Sequence, residues 1–193
     1  MVASFDSSRA VRFDLHEGKI ALADRAPQVL LPVEELLALA AGERTLRSLA
    51  RAVGLAAAAR AATRLAQPDA PPSSPKDLLR AASLSDVVAE LGAELALLGF
   101  GNLRAETWGS ALLVVLDPCS LDARGNELVE GVIEGALGLA TDRELGALVA
   151  ERRAGVVRLI VGEVDAIARV RPLTAAGGLF TEVIRALHGE RTT

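Results

Sequence analysis

Few residues in this chain have the chemistry for a reactive site. Cys119, the single cysteine, follows Pro118, and as a nucleophile it needs a histidine close enough to take its proton. The two histidines, His16 and His188, stand near opposite ends of the sequence. Only folding can bring either to Cys119, and a structural thiol is the simpler reading. His188, beside Gly189, suits a helix end, where it meets the negative end of the dipole. Two isolated histidines make a poor metal site, and one cysteine excludes an intrachain disulfide or a thiolate zinc site within the chain. Neither metal nor cofactor is expected. Glu130 and Glu134 are one helical turn apart. Paired carboxylates can do acid–base work, but a solvated polar face accounts for the spacing more simply. Gly99-x-Gly101 precedes a strand rather than joining strand to helix, so it does not read as a phosphate loop. Trp108, the sole Trp, falls in a tight turn, suited to cap a pocket, to anchor an interface or to pack at a core edge. No catalytic residue stands out, and the chain reads as non-enzymatic.

The elements that must position these residues are legible from periodicity. Val11, Phe13 and Leu15 alternate with polar residues, Glu17-Gly18 supplies a turn, and 19–22 runs back as a hairpin. Pro32 is placed to start a helix, with Glu34 and Glu35 near its positive end. Gly42 separates that helix from a second over 46–65. There Ala56 to Ala59 give high helix propensity and a flat surface, suited to close contact within the subunit or across a dimer. Four prolines in 67–75 make a loop. Leu84, Val87, Val88, Leu91, Leu95 and Leu98 repeat at helical spacing, with Ser83 or Ser85 as N-cap and Gly99 as the stop. Strands follow at 102–107 and 111–117, then a helix from 126 to about 140. A hairpin of 145–153 and 156–162 turns at Ala154-Gly155, and 178–188 forms a C-terminal helix. The order predicts an α+β fold, with helices packed on one face of an antiparallel four-stranded sheet.

On the central helix, Gly131 and Gly135 lie one turn apart, where missing side chains let another backbone approach. Each costs about 1 kcal/mol against Ala in a helix interior, and close packing is the natural compensation.

Composition narrows the classes further. The 193 residues fit one domain over 1–193, and a formal net charge of −4 argues against a nucleic-acid binder. The start, Met1-Val-Ala-Ser-Phe-Asp6, lacks the pattern of a secretory signal, and no apolar run reaches membrane-spanning length. A cytoplasmic protein without a membrane span is the expectation.

Three stretches carry a family resemblance: Leu97-Leu98-Gly99-Phe100-Gly101, Gly131-Val132-Ile133-Glu134-Gly135-Ala136-Leu137, and the hairpin ending Val157-Arg158-Leu159-Ile160. Together with the element order, they resemble the TRAPP small subunits and the related 4-vinyl-reductase-like domains. The resemblance covers about residues 10–172, leaving 173–193 as a helical tail. It implies a TRAPP-subunit-like fold, with an N-terminal hairpin as in bacterial members of the second group. It also implies an apolar cavity between helices and sheet. The acyl-bearing cysteine of TRAPP-type subunits has no counterpart, since the matching loop, 67–75, contains none. Metal-binding cysteines, found in some relatives, have only Cys119 to draw on.

The inward stripes then supply a candidate apolar pocket: Leu91, Leu95, Leu98, Val132, Ile133 and Leu137, with Phe100 and Trp108 at its edge. The function this suggests is a homodimeric binding or regulatory module for a lipid-like or other apolar small molecule. The alternative is a scaffold subunit that docks protein partners such as a small GTPase.

Overall fold

A computed structural model describes residues 11–14, 19–22, 27–28, 43–66, 73–108, 111–119 and 121–188. The helix expected after Pro32, His16 and the middle of the proline-rich loop lie outside the described residues. So do the side chains of Trp108 and His188.

The N-terminal hairpin is present: β1 (Val11–Asp14) pairs antiparallel with β2 (Lys19–Leu22), and β3 (Pro27–Gln28) adds to β2. A second, four-stranded antiparallel sheet runs in the order β4-β5-β7-β6. Its strands are β4 (Asn102–Trp108), β5 (Ala111–Asp117), β6 (Leu145–Arg153) and β7 (Val156–Glu163). Because side chains alternate across a strand, Val114, Leu116, Ala147, Val157, Leu159 and Val161 enter the main core, whereas Leu113, Leu148 and Ile160 join a second cluster. Helices α1 (Glu43–Leu65), α2 (Pro75–Ala81), α3 (Leu84–Leu97) and α4 (Asn126–Thr141) build the main core. The fold is α+β, as the element order requires.

The sequence assigns no element to 163–172, yet α5 (Val164–Ala175) occupies it with Pro172 inside. Ile167 and Val170 of α5, with Val183 and Ile184 of α6 (Phe180–His188), cover the second cluster. Helix α2 is a further addition. Ser74 Oγ accepts the Asp77 N–H at 3.2 Å and Pro75 takes the first turn, where its missing N–H costs nothing.

The closest helix contact joins α1 to α4. A Cβ at Gly135 would fall 2.1 Å from the carbonyl oxygen of Arg51, and one at Gly54 would fall 2.0 Å from that of Val132. At Gly131 it would meet the Ala50 Cβ at 2.6 Å. These backbones touch because three side chains are absent. Buried Ala50, Ala57, Ala58, Ala61 and Ala62 continue the smooth surface of α1. Of the four consecutive alanines, Ala57 and Ala58 are buried within the subunit, whereas Ala56 is exposed.

Replacing Gly135 by Ala should destabilise the protein by about 1–3 kcal/mol from overpacking, despite the better helix propensity of Ala. A circular-dichroism melt reads the loss; a variant as stable as the parent would remove the backbone-contact argument.

Candidate functional site

Glu130 and Glu134 do not form a solvated face. They are 3% and 4% exposed, because α4 turns them between α1 and the edge of the sheet. Glu134 Oε1 accepts the Ala147 N–H at 3.0 Å, and Glu130 Oε1 accepts the Val149 N–H at 2.9 Å. Arg171 of α5 donates to the Ala147 carbonyl at 3.1 Å and to Glu130 Oε2 at 2.9 Å. Strand β6 is an edge strand, and its outward backbone groups here bond side chains where another strand would otherwise add.

Charge balance comes from α1. Arg47 donates through Nε to Glu134 at 3.1 Å, through a terminal nitrogen to the same carboxylate, and to Glu130 at 3.3 Å. Arg51 Nε adds a bond to Glu134 at 2.8 Å. Burial alone would raise the Glu134 pKa, but hydrogen bonds from Arg47, the Ala147 N–H and Arg51 outweigh it and hold the carboxyl below its ordinary range. Arg47 is moved the opposite way. Its desolvation is outweighed by the Glu134 bond and the surrounding carboxylates, so its pKa rises.

A second network repeats the pattern on α3. Glu94, 0% exposed, accepts from Arg60 Nε at 2.6 Å and from Arg64, which also bonds the Glu90 side chain and, at 2.8 Å, its carbonyl. Arginines four apart on α1 thus meet glutamates four apart on α4 and on α3. That matched spacing is the signal a sequence reading could have used. Each carboxylate is held in the geometry of a structural ion pair.

The residues expected to line an apolar pocket do come together. Leu91 and Leu95 of α3, Val132, Ile133 and Leu137 of α4, and Phe100 are buried in the main core, and Leu98 packs against it half-buried. The Phe100 N–H bonds the Leu95 carbonyl at 2.9 Å, which ties its backbone to the end of α3. Trp108 ends β4. Gly131 and Gly135 belong to the α1 contact instead.

Three depressions flank this core. One of about 380 Å³ is lined by Ala96, Gly99, Gly101, Asn102, Pro118 and Cys119. Another, about 300 Å³, lies between α1, α4 and the start of β6, with Leu55 and Leu139 among its walls and Arg51 and Arg143 also lining it. The third, about 210 Å³, lies against Arg47, Arg51 and Arg171. Cys119 is buried and its N–H bonds the Gly155 carbonyl at 2.7 Å. Among the described residues no His, Cys, Asp and Glu group is arranged to hold a metal ion, and no helix is long and apolar enough to cross a membrane.

No family model matches the sequence, and no curated protein matches it. The fold is shared with solved structures. One is the phenol-responsive sensory domain of the transcription activator PoxR with phenol, at 14% identity and a TM-score of 0.51, covering 82% of this chain and 87% of that one.

The Glu134 network sets a pH dependence. A carboxyl whose pKa is depressed by folding contributes stability that is present above its unfolded value, near 4.5, and lost as pH falls through the folded value. Acid titration of unfolding free energy should therefore show a loss below that point which Glu134→Gln reduces. At neutral pH, Glu134→Leu should cost about 3 kcal/mol, the low end for a broken buried pair because both arginines keep some solvent.

Proposed function

We propose that this chain is a non-enzymatic binding and regulatory module that responds to a small apolar molecule. We also place it with the TRAPP-like and 4-vinyl-reductase-like domains. The observation that carries the ligand reading is the fold it shares, over most of its length, with a sensory domain that binds phenol. Support comes from the site itself. Leu91, Leu95, Val132, Ile133, Leu137 and Phe100 form one apolar wall between helices and sheet, the kind of lining a small hydrophobic ligand needs. The buried carboxylates are committed to arginines and backbone N–H groups, which favours binding over acid–base chemistry.

A scaffold role is the second reading, and the tightness of the wall favours it. Leu95, Val132 and Ile133 are at most 1% exposed, as in a core already filled by its own side chains. A subunit of this kind would dock a protein partner such as a small GTPase rather than hold a ligand.

Native mass spectrometry of protein purified from its host separates the two. An added mass of an apolar compound supports the ligand reading. Titration with phenol and alkylphenols should then raise the melting temperature, with about 2.7 kcal/mol gained at a hundredfold excess over Kd. Leu91→Trp, checked for folding by circular dichroism, should abolish that gain. Clean apo protein, unmoved by any of these compounds, would sink the ligand reading.

A further inference from the structure

The two edges of the four-stranded sheet are treated differently. On β6 the outward backbone groups of Ala147 and Val149 are taken by Glu134, Arg171 and Glu130. At the other edge, β4 pairs with β5 along all seven residues, Asn102 to Trp108, and with no other described strand. An edge strand of that length, with no strand beyond it among the described residues, is a template for another strand.

Its side chains specify which strand. Laid antiparallel against a copy of itself with Ala105 on the twofold axis, β4 sets Arg104 opposite the partner's Glu106, and Glu106 opposite the partner's Arg104. Leu103 then faces the partner's Thr107. Cross-strand pairs of opposite charge stabilise such a ladder and like charges oppose it. Both residues project on one face, since Arg104 is in register with Val115 and Glu106 with Leu113. The Arg104 side chain is 60% exposed and, among the described residues, donates one bond, 2.9 Å, to Asp117 at the surface. Glu106 has no charged partner among the described residues.

Helix α3 supports the same arrangement from the opposite face. Gly92 sits over β4, where a Cβ would meet that of Leu103 at 3.3 Å. Slightly further round the helix, away from α1, come Ser85, Ala89 and Ala96, all small and exposed. A twofold at Ala105 brings the partner's α3 alongside that stripe, where short side chains leave room for it.

We propose that two copies of this chain join β4 to β4 antiparallel, making one continuous eight-stranded sheet whose register is fixed by reciprocal Arg104–Glu106 pairs. The interface is isologous, as a twofold dimer requires. The inference is independent of whether the core takes a ligand.

Charge exchange tests it, using sedimentation velocity on the full chain. The parent should be dimeric. Arg104→Glu alone and Glu106→Arg alone each create two like-charge oppositions per dimer, and each should weaken association about tenfold. Mixed in equal amounts, the two variants restore both opposite-charge pairs and should recover a heterodimer near parental affinity. Circular dichroism confirms that each variant is folded. A monomeric parent, single variants that dimerise as the parent does, or a mixture that fails to recover would each overturn the proposal.

Discussion

The backbone contact between α1 and α4 is the constraint on which the rest of the molecule depends. Gly54, Gly131 and Gly135 let the two helices approach until carbonyl oxygens occupy the space a Cβ would need. At that separation Arg47 and Arg51 reach across to Glu134, whose Oε1 accepts both an Arg47 terminal nitrogen and the Ala147 N–H. Three glycines thus fix a salt-bridge network, and the network fixes where the sheet ends. A buried carboxylate without these donors would be strongly unfavourable. The packing and the charges are consequently one device.

The same device occupies these carboxylates. Glu130, Glu134 and Glu94 have their oxygens bonded by guanidinium groups, and the first two also by backbone N–H groups of β6. Leu91 and Leu95 of α3 and Val132, Ile133 and Leu137 of α4 form one apolar wall in the main core. The sheet's two margins differ among the described residues, β6 being bonded by side chains and β4 pairing with β5 alone.

Much of this was legible in the sequence where the signal is local. Ser83 caps α3 as its type and position demand, with the Asp86 N–H donating to its hydroxyl at 3.2 Å. The Ala154-Gly155 turn joins β6 to β7, both residues taking positive φ. The periodic stripe of Leu91 and Leu95 is buried as read. Helix α5 was not legible because Pro172 reads as a breaker, although α5 carries it without ending there. Helix α2 carried a readable Ser74-Pro75-Lys76-Asp77 start that the surrounding prolines obscured. The worst misreading concerned Glu130 and Glu134, since charge on a helix usually marks its solvated side.

By itself the sequence determined the four strands of the main sheet, the helices α3 and α4 before and between them, and the α+β class, because periodicity, caps and turns act over a few residues. It also singled out Gly131 and Gly135 as sites of close approach. What only the tertiary structure decided was the identity of the partners. Gly135 meets Arg51 and Glu134 meets Arg47 and Ala147, groups far apart along the chain. Spacing within a helix tells which residues share a face. It carries no record of what that face will meet, and a carboxylate's solvation depends wholly on that.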